Sequence, residues 1–378
     1  MNKFQRIITG LLFCFPLFWG CTNDVPDPVA PTRTVLIYMA ADNDLSYYSY
    51  KNIESIVQGT SASALNGGNL LIYVDAKNAA PQLLQIKVKS DGKIQKLSVK
   101  DYPEQNSADP SVMREVFDKV IADYPADSYG LVLWSHGTAW LPYNVKPMLR
   151  SFGQDESNWM EIDELEEALP DHVFDFIMFD ACYMASTEVA YALRDKADYI
   201  LASPTEVLGE GFPYKLIIGN FFTETAGLQQ IAETFYNYYN QKEKIIEQSA
   251  SVSLIATEQL DNLAAICREI VIGKENAIAT LPIQELQQLE YLGYTYHALY
   301  DFDDFISRLA TETQYTNYLS ILNKVVLYKQ TTPNATYSYG RQLFINKFSG
   351  LSIYVPQNGL ATLNDWYKGM EWYRAVYE

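Results

Sequence analysis

Residues 128–137 read Ser-Tyr-Gly-Leu-Val-Leu-Trp-Ser-His-Gly, and residues 174–182 read Phe-Asp-Phe-Ile-Met-Phe-Asp-Ala-Cys. Each stretch is a short apolar run that ends at a chemically reactive side chain, His136 in the first and Cys182 in the second. Such runs are typical of strands buried on both faces, as in a parallel sheet covered by helices. Because the carboxyl ends of the strands form the ligand-binding edge of such a sheet, we expect His136 and Cys182 to meet there.

Three further apolar runs have the same character, at residues 34–40, 69–75 and 198–203. Amphipathic patterns between the runs predict helices at residues 112–123 and 159–169, and Pro170 ends the second. An insert at residues 83–97, with Asp91-Gly92 at its centre, predicts a β-hairpin. The sequence therefore predicts an α/β fold with a mainly parallel central sheet and helices on both sides.

The chain changes character at about residue 216. Helical patterns dominate from there to about residue 330, with strands expected at residues 251–256 and 351–355. We therefore expect a catalytic core at residues 33–215 and a helix-rich C-terminal region, with additional strands, at residues 216–378.

The N-terminus has the layout of an export signal. Lys3 and Arg6 precede an apolar run that is too short to span a bilayer, and the run ends at Gly20-Cys21. A small residue before a cysteine resembles a bacterial lipobox, so we expect residues 1–20 to be removed and Cys21 to carry lipid. Residues 21–32 are polar and proline-rich and predict an extended tether. The protein is then exported and held at the cell envelope or surface, and the alternative is plain secretion.

Net charge argues against a nucleic-acid partner, and the motifs argue against a nucleotide cofactor. The 378 residues include 28 Lys+Arg and 46 Asp+Glu, for a net charge of −18. Loss of Lys3 and Arg6 with the signal leaves 26 basic residues against 46 acidic ones, or −20. An acidic surface repels nucleic acid phosphates, so no nucleic-acid partner is expected. The absence of glycine-rich phosphate-binding motifs argues against a nucleotide cofactor.

Few cysteines and histidines are available for chemistry. Of the four cysteines, Cys14 is removed with the signal and Cys21 is the expected lipid attachment site. Cys267 lies on the apolar stripe of a predicted helix, where a free cysteine packs as a small hydrophobe. Of the three histidines, His172 precedes a strand and is expected at the opposite edge of the sheet from Cys182. The remaining one, His297, reads as ordinary packing or surface.

His136 and Cys182 therefore form the candidate catalytic pair. A cysteine nucleophile needs a thiolate, and a nearby imidazole supplies the base or the stabilising cation. Gly137 allows a sharp turn, and the N–H groups of Gly137 and Cys182 could form an oxyanion hole. The alternative is a buried cysteine at a strand end and a hydrogen-bonded histidine in a turn. No second histidine lies within helical or hairpin reach, so a metal site has little support.

Several motifs resemble the clostripain family of caspase-like cysteine peptidases. They are residues 35–45, 133–137, 179–185, 202–206 and 209–214, with a weaker match at residues 350–356. The resemblance spans about residues 33–215. It implies a caspase-like α/β/α sandwich that cleaves peptide bonds after Arg or Lys in protein or peptide substrates. His136 matches the family's catalytic histidine, and Cys182 matches its nucleophile.

Specificity for a basic side chain requires a carboxylate in the substrate pocket. Asp180 lies two residues before Cys182, so strand alternation points both side chains to the same side, and the resemblance indicates the same residue. The alternative is a strand-end Asp180 that caps a loop. Other candidate acids are Asp42, Asp44, Glu206 and Glu210. No third acid is required to orient His136, and none is assigned.

The resemblance also implies maturation by cleavage after a basic residue between the histidine and the cysteine. Lys146 and Arg150 are the basic residues in that interval. Residues 144–158 read as a long exposed loop, where nicking concentrates. We expect cleavage after Arg150, with Lys146 second, and the alternative is an uncut lid loop.

Two further expectations stay open. The cysteine–histidine mechanism requires no cofactor. Some relatives depend on calcium, so calcium stays open as a cofactor of this chain, but no calcium loop is recognisable and no ligands are assigned. The alternative function is a non-catalytic surface lipoprotein that binds peptide or glycan, since the chain contains 29 Tyr that could line a binding face.

Overall fold

The fold is built around one large mixed sheet. The computed structural model describes residues 32–141, 151–223, 225–290, 297–337 and 341–378. The strands in these ranges are β1 Thr34–Ala41, β2 Asn69–Ala76, β3 Gln82–Val88, β4 Ile94–Asp101, β5 Tyr129–Trp134, β6 Phe152–Asp155, β7 Asn158–Met160, β8 Phe174–Asp180, β9 Ala197–Ala202, β10 Ser251–Ala256, β11 Leu299–Asp301, β12 Val326–Thr331, β13 Asn334–Tyr337, β14 Arg341–Phe344 and β15 Ser352–Tyr354. The large sheet has the strand order β12-β10-β9-β8-β5-β1-β2-β3-β4.

Helices cover the sheet and fill the C-terminal region. They are α1 Ser46–Gly59, α2 Ala62–Leu65, α3 Pro110–Asp123, α4 Ile162–Ala168, α5 Thr187–Ala192, α6 Tyr214–Ile217, α7 Thr225–Asn240, α8 Leu260–Val271, α9 Glu275–Ala279, α10 Phe302–Ser307, α11 Glu312–Val325, α12 Ala361–Gly369 and α13 Glu371–Tyr377. Within the described ranges, no helix has the length and apolarity needed to cross a membrane.

The centre of the sheet is parallel, as the sequence predicts. The strands β9, β8, β5, β1 and β2 pair in parallel, in that spatial order. The predicted hairpin is present as β3 and β4, which extend the sheet antiparallel beyond β2. Gly92 turns this hairpin with a φ of 79°, a left-handed conformation that favours glycine.

Both faces of the central strands are buried. Along β1, Leu36 and Tyr38 pack into one hydrophobic core, whereas Val35 and Ile37 pack into a second core on the opposite face. Alternate residues of a strand point to opposite faces, so this division shows a sheet between two apolar layers. The structure is therefore the predicted α/β/α sandwich.

The C-terminal region contributes strands to the same sheet. The strand β10 pairs antiparallel with β9, and β12 pairs with β10. The helical pattern predicted to about residue 330 is therefore wrong at its end, because α11 stops at Val325 and β12 follows directly. Burial alternates along residues 326–329, which is the pattern of a strand with one face on the core.

Residues 151–160 also differ from the prediction. The sequence predicts the end of an exposed loop and the start of a helix there, but β6 and β7 form a hairpin. Phe152 is fully buried and faces Gly137 across an isolated β-bridge. The following helix begins only at Ile162, because Glu161 and Glu164 form a reciprocal capping box that fixes the helix start.

Candidate active site

Two neighbouring strands deliver His136 and Cys182 to one edge of the sheet. Trp134 at the end of β5 pairs with Asp180 at the end of β8, and the chain reaches His136 and Cys182 two residues after each. Both side chains line one cavity of about 320 Å³. The structure thus brings together the two groups that the sequence analysis assigned to the chemistry. His172 precedes β8, at the opposite edge of the sheet, as expected.

The His136 ring is held from two sides. Its Nε2 atom lies 2.7 Å from Oδ1 of Asp44, and its ring centroid lies 6.0 Å from that of Trp159. The His136 carbonyl accepts a hydrogen bond of 3.1 Å from the Gly153 amide of the β6–β7 hairpin. The hydrogen bond to His136 lowers the pKa of Asp44, so this carboxyl group is ionised at neutral pH. The sequence indicates Asp44 only as a candidate pocket acid, and no local pattern predicts its contact with His136.

The Cys182 thiol is partly buried and lies against a loop. The Val207 amide donates to its Sγ atom at 3.3 Å, and the Val207 carbonyl lies 3.6 Å from Sγ. Burial raises the pKa of this thiol, and the nearby Glu206 carboxylate raises it further, whereas the Val207 N–H lowers it. Among the described residues no hydrogen bond joins the His136 ring to Sγ. The raised pKa favours a neutral Cys182 thiol, which lines the same cavity as the His136 imidazole.

Backbone conformation is strained next to the cysteine. Tyr183 has a φ of 64°, in the left-handed region that a bulky residue rarely occupies. Its amide donates to the Thr205 carbonyl at 3.0 Å, and its hydroxyl donates to Glu206 at 3.3 Å. These contacts fix the sharp turn that carries Cys182 out of β8 and toward the cavity.

Gly137 lies directly against the cysteine loop. A methyl group on its Cα would be 2.7 Å from the Cys182 carbonyl oxygen, so a larger residue does not fit without a shift. The ladder bonds with the hairpin run from Thr138 N–H to Ser151 and from Gly153 N–H to His136. In an antiparallel pair this pattern leaves the N–H of Gly137 out of the ladder. Since no other acceptor contacts this N–H in the described part of the chain, the group is available to a ligand.

Asp180 forms the buried acidic wall of the cavity. The Tyr214 hydroxyl and the Phe212 amide donate to its Oδ2 atom at 2.8 and 3.2 Å, and among the described residues nothing donates to Oδ1. Burial raises the pKa of Asp180 to about 6, although both donors oppose this shift. Gly211 has a φ of 67°, and a methyl group there would lie 2.6 Å from Oδ2. A buried carboxylate with one unused oxygen suits a cationic ligand.

The other candidate acids occupy different surroundings. Glu206 and Asp44 both line the cavity, whereas Asp42 and Glu210 do not line it. Glu210 accepts a hydrogen bond from Lys242 at 2.9 Å. Asp180 is thus the one of these acids that is both buried and open to the cavity among the residues that the structure describes.

Several residues considered in the sequence analysis lie outside the cavity or outside the described residues. Cys21, Lys146 and Arg150 lie outside the described residues. Cys267 is fully buried on α8, and His297 is bonded to the Glu290 carbonyl, so both have packing roles as expected. In the described part of the chain, no group of three or more His, Cys, Asp or Glu side chains could hold a metal ion.

Comparison with known proteins assigns the chain to a family. A model of the clostripain family matches residues 37–377, which is most of the chain. The chain belongs to the clostripain family. Members of this family are cysteine peptidases, and this protein is a cysteine peptidase of the clostripain type.

Individual relatives agree with this assignment over most of their length. Clostripain of Hathewaya histolytica is 24% identical over 435 aligned residues, which covers 91% of this chain and 79% of that protein. The structure of an inactive zymogen of a C11 protease from Parabacteroides distasonis has a TM-score of 0.85 and 49% identity, and the match covers 94% of this chain and 100% of that one. A secreted C11 cysteine protease from Bacteroides thetaiotaomicron, solved with an irreversible peptide inhibitor, has a TM-score of 0.80 and 34% identity, with coverage of 91% and 99%.

Proposed function

We propose that this protein is an exported endopeptidase that cleaves peptide bonds after Arg or Lys. In this proposal Cys182 is the nucleophile and His136 is the general base and acid. The observation that carries it is the cavity at the ends of β5 and β8, which His136, Cys182 and the buried Asp180 line together. Membership of the clostripain family supports the reaction class.

The first chemical step is attack by sulfur on the substrate carbonyl. His136 accepts the thiol proton of Cys182, and the thiolate forms a bond to the carbonyl carbon. The raised pKa of the thiol means that this proton transfer is unfavourable before substrate arrives. The Val207 N–H lies 3.3 Å from Sγ and stabilises the thiolate when it forms.

The oxyanion that develops on the substrate needs two donors. We propose that the N–H groups of Gly137 and Cys182 supply them, since Gly137 leaves its N–H out of the hairpin ladder and lies against the Cys182 loop. Collapse of the tetrahedral intermediate breaks the C–N bond, and the His136 imidazolium protonates the leaving amine. Water then attacks the acyl-enzyme with His136 as base and releases the thiol.

Asp180 is the proposed determinant of specificity. The side chain of Arg or Lys carries a positive charge that pairs with a carboxylate inside a pocket, where the low dielectric strengthens the attraction. The Oδ2 atom of Asp180 is occupied by Tyr214 and Phe212, so Oδ1 is the atom that would meet the substrate cation.

Self-processing after Arg150 extends the same specificity to the chain itself, with Lys146 as the second site. Ser151, the residue that follows Arg150, accepts a hydrogen bond of 2.8 Å from the Thr138 amide. Thr138 lies two residues after His136 and lines the cavity. The residue after the proposed cleavage site is therefore hydrogen-bonded to a residue that lies two positions from His136, which supports intramolecular cleavage.

Export and anchoring complete the proposal. Residues 1–20 are proposed as the signal and Cys21 as the lipid attachment site, with residues 21–32 as tether to the cell surface. An intact mass of the mature protein, purified from its native membrane, tests this step. The expected mass lacks residues 1–20 and includes lipid, whereas a mass without lipid supports plain secretion.

Hydrolysis of matched peptide reporters tests the proposed activity. The purified protein is incubated with reporters that differ only in Arg, Lys or Leu before the scissile bond. The expected result is cleavage of the Arg and Lys reporters, loss of cleavage in Cys182→Ala, and retained cleavage in Cys267→Ala, which changes a buried cysteine away from the cavity. Full cleavage by Cys182→Ala would overturn the mechanism, and binding without cleavage by wild type would favour the binding-protein alternative.

A further inference from the structure

We propose that Asp44 is a positioning residue for His136, which directs the Nδ1 atom of the imidazole toward the Cys182 thiol and stabilises the imidazolium during turnover. The inference rests on the proposed function and adds a third member to its catalytic pair. It is carried by the 2.7 Å contact between Nε2 of His136 and Oδ1 of Asp44.

The loop that carries Asp44 is fixed by its neighbours. Asn43 is buried, and its Nδ2 atom donates to the carbonyls of Ala40 at 3.1 Å and Gln154 at 2.7 Å. Its Oδ1 atom accepts from the Leu45 amide at 2.8 Å. Because Asn43 connects the end of β1 to the β6–β7 hairpin, the backbone on both sides of Asp44 is held in place. The exposed carboxylate is therefore positioned by a buried neighbour.

The hydrogen bond assigns roles to the two ring nitrogens. A carboxylate only accepts hydrogen bonds, so Nε2 must carry a proton when it contacts ionised Asp44. In the neutral imidazole, Nδ1 is then the unprotonated atom and is the one that can accept the thiol proton. Without Asp44 both tautomers and other ring rotations become accessible. The contact thus selects the tautomer that the proposed mechanism needs.

The same contact stabilises positive charge on the ring. After proton uptake the imidazolium lies against a carboxylate, which is an attractive pair. Among the described residues, the charged groups that act on this pair include Lys77 on Asp44, and Glu206 and Asp180 on Cys182. The side chain of Asp44 is 82% exposed, so water competes with the contact and the expected contribution is moderate.

Kinetics of three variants tests the inference. In Asp44→Ala we expect kcat on an Arg reporter to fall about 10-fold, at the lower end of the effect of orienting partners, with KM nearly unchanged. In Asp44→Asn the amide oxygen still accepts from Nε2 but carries no charge, so we expect a smaller loss of kcat. In both variants the acid limb of the kcat profile moves to lower pH, because His136 acts as a base and its protonated form is less stabilised. In Glu54→Ala, which removes an exposed carboxylate that contacts Lys51, kcat and pH profile stay at wild-type values.

Wild-type kcat and an unshifted pH profile in both Asp44 variants would overturn the inference. An equal loss of kcat in the two variants without a shift of the limb would overturn it as well, since it indicates a structural effect alone. If Cys182→Ala itself retains cleavage, the proposed function fails, and this outcome is distinguishable because it does not depend on Asp44.

Nitrogen NMR of the imidazole rings provides a readout that does not use activity. The chain has three histidines, so His136 is assigned by its loss in His136→Gln. In Cys182→Ala protein, which prevents self-cleavage, we expect the Nε2–H tautomer for His136. In the Cys182→Ala, Asp44→Ala double variant we expect a mixture of tautomers. An Nδ1–H tautomer in the presence of Asp44 would overturn the inference.

Discussion

Trp134 and Asp180 face each other on neighbouring parallel strands, in the last paired position of β5 and β8. The register of this pair determines where the two reactive side chains lie, because His136 and Cys182 are each two residues beyond it. A one-residue slip would turn one of the two side chains away from the other. The strand pairing, together with the turns at Gly137 and Tyr183, is thus the physical basis of the proposed active site.

The affinity for basic substrates should depend on the protonation of Asp180. Burial raises the pKa of Asp180 to about 6, so the carboxyl group becomes neutral as the pH falls through this value. A neutral acid no longer attracts a cationic side chain. We expect KM for an Arg reporter to rise about 10-fold between pH 7 and pH 5, measured by steady-state kinetics.

Removal of one hydrogen-bond donor to Asp180 should shift the pH at which KM rises. In Tyr214→Phe the hydroxyl that bonds to Asp180 is lost, so the pKa of Asp180 rises and KM should increase at a higher pH than in wild type. Tyr318→Phe is the matched control, because that buried hydroxyl has no partner among the described residues. An unchanged KM from pH 7 to pH 5 would refute the role of Asp180.

A methyl group at position 137 should disrupt the oxyanion site. In Gly137→Ala the new Cβ atom lies 2.7 Å from the Cys182 carbonyl oxygen and 2.9 Å from the Met184 sulfur. The displacement separates the two proposed N–H donors, so we expect kcat to fall by about 100-fold or more. In Gly359→Ala, where nothing lies within 4 Å, activity should stay at the wild-type level. Equal activity of the two variants would contradict the proposed oxyanion hole.

Self-cleavage should follow the basic residues between His136 and Cys182. After incubation of the purified protein, mass spectrometry should find a new C-terminus at Arg150. In Arg150→Ala we expect slower self-cleavage, now after Lys146. In Cys182→Ala we expect no self-cleavage. Cleavage at the same position in Cys182→Ala would show that another protease makes the cut.

A buried pair of acids should make stability depend on pH. Asp75 is fully buried, no described donor contacts either carboxylate oxygen, and burial and the neighbouring Asp155 raise its pKa to about 8. The native state therefore holds a proton that the unfolded chain has lost above about pH 4, so stability falls between about pH 4 and pH 8.

Substitution of Asp75 should reduce this dependence. Asp75→Asn replaces the titrating carboxyl group by an amide that does not titrate. We expect the decrease of the melting temperature from pH 5 to pH 8 to be about 2–4 °C smaller than in wild type. Calorimetry or fluorescence at the two pH values measures it, and an equal decrease in both proteins would refute the buried pair.

The central strands could be predicted from the sequence because their burial on both faces leaves unbroken apolar runs. The β6–β7 hairpin could not be predicted in this way. Residues 153–156 are Gly-Gln-Asp-Glu, which has no apolar periodicity, and the pairing of Phe152 with Gly137 is a long-range contact. The strand β12 was missed for the same reason, since its structure follows from pairing with β10 rather than from local pattern.

Within the site, the residues that carry the proposed chemistry were predictable from their place after a strand. The contact of Asp44 with His136 was not, because it depends on the conformation of the loop after β1. That conformation is set by Asn43 and its bond to Gln154, more than 100 residues away in sequence. The bond from Val207 to the Cys182 sulfur likewise comes from a separate loop, and no local signal indicates it.

Covalent trapping of the nucleophile tests the central claim most directly. The protein is incubated with an Arg-containing peptide that ends in an electrophilic ketone, and the modified residue is identified by peptide mass spectrometry. The account predicts a single adduct on Cys182, unchanged in Cys267→Ala and strongly reduced in His136→Ala and Asp180→Asn. An adduct on Cys267, or loss of activity without any label on Cys182, would contradict it.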